Sequence, residues 1–251
     1  MYIQKNANAE IHGFDVESYK HLIQSDPFSF FGFLEDLSDR KHTISKSGIQ
    51  VERQLLFTWK KNGLLPFRNK VDANKKTWNR YSFIELAWIQ ILLALRKQGV
   101  GIERLKQIKE SLFPDNFLKE VISSAPFDQL IGTDTALSEL LREKGIANAS
   151  DLKNTEFESD VLEESQFSLF FCLLFSSIMI RANMVIYIDE KVNPGIINLD
   201  AMRSSPIKGM AEAYEILSKP SVVTINLNAI VIDLARKVDF SSKWLIAFRP
   251  K

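Results

Sequence analysis

Thiol chemistry is almost absent from this chain, which carries one cysteine, Cys172, in 251 residues. A single thiol builds neither a disulfide framework nor a thiolate metal cluster, and it fits a reducing compartment. Histidine is scarce too, and His12, His21 and His42 all fall in the first 42 residues. No Cys/His ligand spacing arises from them, so no metal site is expected. The ten glycines form neither a Gly-x-x-x-x-Gly-Lys-Ser/Thr loop nor a dinucleotide fingerprint, so no cofactor is expected. Long apolar runs are also lacking. The fullest, Phe167 to Ile180, has 14 residues, includes three serines and stops at Arg181. It falls short of the roughly 20 residues that span a bilayer, so it reads as a buried core element with no membrane partner. The start, Met1-Tyr2-Ile3-Gln4-Lys5-Asn6, has no basic segment leading into an apolar one and does not read as a secretory signal. A cytoplasmic location is the expectation.

What is present is average in amount and uneven in distribution. Hydrophobic residues make up 45% and charged residues 25% of the chain, the proportions of a folded globular protein. Net charge is only +1, but from Arg40 to Leu112 there are 16 Lys/Arg against 5 Asp/Glu. Residues 1 to 39 hold 2 basic and 7 acidic residues, and residues 113 to 251 hold 14 and 19. A basic block between acidic flanks is the electrostatic pattern of a polyanion-binding module, because Lys and Arg on phosphates release condensed counterions. A solvated basic face is the plainer explanation of the same charge.

Three regions follow from this division. Residues 1–40 form an N-terminal extension with a short helix, in which Asp26 and Pro27 give start signals and Phe28, Phe31, Leu34 and Leu37 recur at helical spacing. Residues 41–112 form the basic module. Its clearest helix runs from Ser82 to Gln98, where Ser82 can cap, Glu85 takes the third helical position, and Leu86, Ile89 and Leu93 point inward. Gly99 ends that helix, and a second runs from Gly101 through Ile102, Leu105, Ile108 and Leu112 until Pro114. Residues 113–251 form a C-terminal region of mixed α/β character. Met184 to Ile188, Ile196 to Leu199, Val222 to Leu227 and Trp244 to Phe248 read as strands, and Met210 to Leu217 reads as a helix. The fold class expected overall is α+β.

A helix reads DNA when its polar side chains enter the major groove while apolar ones fix it to a scaffold. Val51 to Lys61 satisfies both conditions. Leu55, Leu56 and Trp59 make the anchored face, leaving Arg53, Gln54, Phe57, Thr58, Lys60 and Lys61 as candidates for the groove. Gly63-Leu64-Leu65-Pro66 then stops the helix and turns the chain. The stretch from Phe67 to Trp78 reads as a hairpin, or wing, with Asp72-Ala73-Asn74 at its tip and Arg68, Lys70, Lys75 and Lys76 on its arms. Asn79, Arg80 and Tyr81 follow as further candidate DNA contacts. An ordinary exposed loop is the alternative for this stretch taken alone.

Three segments of this module resemble the MerR family of bacterial regulators. Arg53-Gln54-Leu55 through Trp59-Lys60-Lys61-Asn62-Gly63-Leu64-Leu65-Pro66 is similar to that family's recognition helix and its exit into the wing. Trp78-Asn79-Arg80-Tyr81-Ser82-Phe83-Ile84-Glu85-Leu86 is similar to the entry of its third helix. Leu95-Arg96-Lys97-Gln98-Gly99-Val100-Gly101-Ile102-Glu103-Arg104-Leu105-Lys106 is similar to its Leu-Arg, Gly, Ile/Leu, Glu, Ile-Lys signature. The resemblance implies a winged helix-turn-helix, mostly α, that binds double-stranded operator DNA as a homodimer.

The sequence departs from the family in three places. Counted back from Trp59, the family's recognition arginine falls at Gln54, with Arg53 one place earlier, and its wing arginine falls at Asn79, with Arg80 one place later. The first helix of the motif has only His42-Thr43-Ile44-Ser45-Lys46-Ser47 to occupy, so it is either reduced or replaced by the Phe28 to Leu37 segment. After Leu112, Pro114, Pro126 and Gly132 exclude the long dimerisation helix of the family.

Acidic pairs such as Glu163-Glu164 and Asp189-Glu190 are more often solvated charges than acid–base catalysts, and no enzyme is expected. The function expected is sequence-specific DNA binding by a transcriptional regulator, whose C-terminal region dimerises or senses a small-molecule or protein effector. The rival readings are an excisionase-like or partition adaptor of a mobile element, and a DNA-targeted enzyme with its chemistry in the C-terminal half.

Overall fold

The computed structural model describes residues 5–6, 9–12, 33, 36–38, 40–65, 80–113, 168–188, 194–200 and 208–238. Its elements in chain order are β1 (Lys5–Asn6), β2 (Ala9–His12), α1 (Arg53–Lys61), α2 (Phe83–Lys97), α3 (Ile102–Leu112) and α4 (Leu169–Phe175). A π-helical turn, Ser176–Ile180, extends α4, and β3 (Met184–Ile188), β4 (Pro194–Asn198), α5 (Lys208–Leu217), β5 (Val223–Asn226) and α6 (Leu227–Lys237) follow. The fold is mixed α+β. The candidate wing and the segments 114–167 and 239–251 lie outside the described residues.

The sheet runs in the order β1-β2-β4-β3-β5. Its centre is antiparallel, with Ile186 opposite Ile196 on one side and Ile225 on the other. The hairpin β1–β2 adds to the edge, where β2 pairs parallel with β4 and Ile11 lies opposite Ile196. β3, Met-Val-Ile-Tyr-Ile, is buried at every position. Because successive strand residues face opposite ways, this means that both faces are covered. Met184, Ile186 and Ile188 join the main core, while Val185, Tyr187 and Ile197 form a second cluster with Ile216 and Leu217 at the end of α5.

α2 is the axis of the main core. Ser82 Oγ accepts from the Glu85 N–H at 3.2 Å, and Glu85 Oε2 accepts from the Ser82 N–H, which satisfies two donors at the helix start. Phe83, Ile84, Leu86, Ala87, Trp88, Ile89, Ile91, Leu92 and Leu95 are all buried, so the helix is apolar nearly all round, as a central helix is. Around it sit α4, α6 and β5. The rings of Trp88, Phe113 and Phe170 meet with centroids 5.1 to 5.7 Å apart, joining α2 to the end of α3 and to α4. Gln90 Nε2 donates to Asp233 of α6 at 3.2 Å. One buried cluster thus extends from Phe33 through the basic module to Val238.

The segment before Gly48 is a single turn. Lys46 and Ser47 N–H groups donate to the Thr43 carbonyl, and Ser47 Oγ donates to the Ile44 carbonyl at 2.7 Å. Of the N-terminal helical stripe, Leu37 is buried, while Phe28, Phe31 and Leu34 lie outside the described residues. Phe33, which is not part of that stripe, is also buried and packs edge-on to Phe175, with centroids 5.0 Å apart. Phe33 therefore packs on α4, and where the sequence suggested a short helix over His42–Ser47 the structure has the Thr43–Ser47 turn.

Candidate nucleic-acid interface

α1 presents two unlike faces. Trp59 is fully buried, and Leu55 and Leu56 pack half-buried against the core. Burying an aromatic side chain of this size contributes about 2–3 kcal/mol, part of the tertiary packing that holds a nine-residue helix too short to form alone. Arg53, Gln54, Phe57, Lys60 and Lys61 are exposed, and Thr58 is half-buried with its hydroxyl donating to the Gln54 carbonyl at 2.9 Å. Residues three and four apart are neighbours on a helix surface, so these exposed side chains make one continuous patch. Among the described residues, Arg53, Lys60 and Lys61 take part in no ion pair.

The end of α1 is fixed by backbone geometry. Gly63 has φ +68°, its N–H donates to the Lys60 carbonyl, and the Leu64 N–H reaches back to the Trp59 carbonyl at 2.9 Å. This paired 5→2 and 6→1 pattern closes a helix with a left-handed residue, a conformation that costs glycine least. α2 ends the same way at Gly99, with φ +84° and the Val100 N–H donating to the Leu95 carbonyl. Leu64 is then buried, and its carbonyl accepts the Trp88 indole N–H at 2.8 Å. The end of α1 is thereby tied to the core axis.

Arg80 is exposed and Tyr81 half-buried at the entry to α2. Tyr81 and His42 exchange both backbone hydrogen bonds, N–H to carbonyl, at 2.7 and 3.1 Å. Burial, with the Glu85 carboxylate beside it, pushes the Tyr81 hydroxyl above its ordinary pKa, although Arg40 opposes the shift. Glu85 is almost wholly buried and is paired with Arg40 at 2.8 and 3.2 Å. The sequence singled out Glu85 only as a cap. Its pairing with Arg40 had no signal along the chain, and neither did the Trp88–Leu64 bond beyond the general need of a buried indole for a partner.

Of the thirteen candidate contacts, Arg53, Gln54, Phe57, Thr58, Lys60 and Lys61 share α1, and Arg80 and Tyr81 lie together before α2. Arg68, Lys70, Lys75, Lys76 and Asn79 lie outside the described residues. Among the described residues no group of three His, Cys, Asp or Glu is placed to hold a metal, and no helix is long and apolar enough to cross a membrane. Cys172 is buried in α4, and burial pushes its thiol pKa up, so it stays protonated and unreactive. Arg181 is exposed at φ +54°, where it closes the π-helical turn. No family model matches the chain, and neither the curated proteins nor the solved structures searched include a match to it.

Proposed function

We propose that this chain is a sequence-specific DNA-binding transcriptional regulator of the bacterial cytoplasm, with α1 as the reading helix of a MerR-like winged helix-turn-helix. The observation that carries this reading is the division of α1. Its Trp59 face is locked into the core, and its Arg53, Gln54, Lys60 and Lys61 face is exposed and, among the described residues, takes part in no ion pair. Such a helix is held rigid from behind and offers donors in front, as base-edge readout requires. The +11 balance of the surrounding segment supplies the long-range attraction to phosphate. In this reading the protein acts as a homodimer on paired half-sites, and the region after residue 113 provides the dimer contact or senses an effector. Its role is binding rather than catalysis.

Selection of duplexes from a random library with the full-length chain tests the proposal, followed by mapping of bound sites across the source genome. A shared motif in two symmetric half-sites, centred on promoters, is the expected result. Clustering at the ends of a mobile element would shift the role to an adaptor. Failure to enrich any duplex would overturn DNA reading altogether.

A further inference from the structure

We infer that Phe57 contacts the 5-methyl group of a thymine in the major groove and so sets a base preference; the inference rests on the DNA-binding reading of α1 and adds a specific base edge to it. Phe57 is 63% exposed and belongs to no part of the buried cluster. A single exposed phenylalanine is common on a protein surface; what singles out Phe57 is its place at the middle of a short, well-anchored helix with exposed cations on both sides. Its neighbours at three and four residues on either side are Arg53, Gln54, Lys60 and Lys61, all exposed. Among described residues no ion pair restrains the three cations.

This setting decides which partner fits. An apolar pocket on another protein would have to desolvate three cations with the ring, whereas protein interface cores are depleted of lysine. The major groove suits the same arrangement. Its walls are phosphates for the cations, its floor carries acceptors and donors for Arg53 and Gln54, and its one apolar feature is the thymine methyl. A ring at the centre of the patch meets the floor while the longer side chains reach outward.

The test uses the full chain on sites selected from a synthetic, unmethylated duplex library, which contains thymine but no 5-methylcytosine. Uracil is then substituted for thymine one position at a time, removing a methyl and leaving every hydrogen-bonding group. Loss of one buried methyl should weaken wild-type binding roughly fourfold at one position in each half-site. In Phe57→Ala that uracil penalty should vanish, and in Phe57→Leu part of it should remain. A penalty that persists undiminished in Phe57→Ala, or that appears at no thymine, overturns the inference. If Phe57→Ala binds every duplex as the wild type does, the ring serves another partner; the inference fails and DNA reading by α1 survives. If the wild type selects no duplex, both fail together.

Discussion

The indole N–H of Trp88 donates to the carbonyl of Leu64 across 2.8 Å in a buried setting, and this bond ties the end of α1 to the middle of α2. Leu64 is the residue whose own N–H closes α1 by reaching back to Trp59. The same peptide neighbourhood therefore stops the helix and docks it. A side chain from α2, the axis of the main core, sets the position at which the exposed face of α1 is displayed.

Replacing Trp88 with Phe should test that coupling with little change in apolar character. The Leu64 carbonyl would lose its indole donor while staying buried, which costs about 1–3 kcal/mol, and the smaller ring would loosen the contacts to Phe113 and Phe170. Urea denaturation of the two proteins measures the difference. A loss below about 0.5 kcal/mol, the range of ordinary surface substitutions, would mean that the bond contributes nothing to the fold.

A second test falls on the sheet. Gly195 of β4 lies directly opposite Tyr187 of β3, and a Cβ placed on Gly195 would overlap the tyrosine ring. The ring covers the bare backbone as a larger side chain covers a cross-strand neighbour. Gly195→Ala should therefore destabilise the protein by about 1–3 kcal/mol through overpacking. The double variant Gly195→Ala with Tyr187→Val should lose less than the two single variants combined, since one change makes room for the other. Strict additivity in thermal or urea unfolding would show that the two side chains do not compete for the space.

The local part of this architecture was legible in the sequence. Ser82 and Glu85 announce the start of α2, and Gly63 and Gly99 announce the ends of α1 and α2, because caps and left-handed residues act within a few positions. The two faces of α1 followed from its period, with Leu55, Leu56 and Trp59 inward. α6 did not follow, because the strand Val223–Asn226 passes straight into it without a glycine or proline between them. Its start is set by Asn226, whose Oδ1 accepts the Ala229 N–H. Nor did the pairing of β2 with β4 follow, since Ile11 and Ile196 meet only through the tertiary fold. For the candidate interface, the sequence supplied which side chains of α1 are displayed, and the fold supplied what holds them there. Arg40 and Glu85 illustrate the gap, being distant in sequence and joined by two contacts.

Acid should weaken the join between α2 and α6 through Asp233. Partial burial alone would raise its pKa, but hydrogen bonds from Lys237 and Gln90, with the Lys237 and Arg236 charges, outweigh that and hold it below its ordinary 3.8. A carboxylate depressed in the folded state stabilises the fold above its unfolded pKa, and that contribution is lost as pH falls through the folded value. The stability difference between wild type and Asp233→Asn should thus be constant near neutrality and shrink below about pH 4. Both partners are well exposed, so the effect is small and should diminish further in salt. A difference unchanged down to about pH 2 would show that the Asp233 charge does not contribute.

The last prediction separates side chains that position the protein on DNA from those that read sequence. Arg80 is exposed beside Tyr81, just after the candidate wing, and in the proposed reading it is a phosphate contact. Arg80→Ala should weaken binding to cognate and scrambled duplexes alike and reduce the salt slope by about 0.9, the value of one phosphate contact. Arg53 lies on the displayed face of α1, where a guanidinium can meet guanine O6 and N7 together. Arg53→Ala should cost about 1–3 kcal/mol on the cognate site alone and relax preference at one base position. Gln54 is also exposed and one residue on, where a bidentate contact to adenine is available, so Gln54→Ala should be measured beside it. Isotherms at several salt concentrations on both duplexes give the two signatures at once, a parallel shift for positioning and a changed cognate-to-scrambled ratio for reading. If neither Arg53→Ala nor Gln54→Ala alters that ratio, α1 is not the reader, and the exposed face must serve a partner other than a base edge.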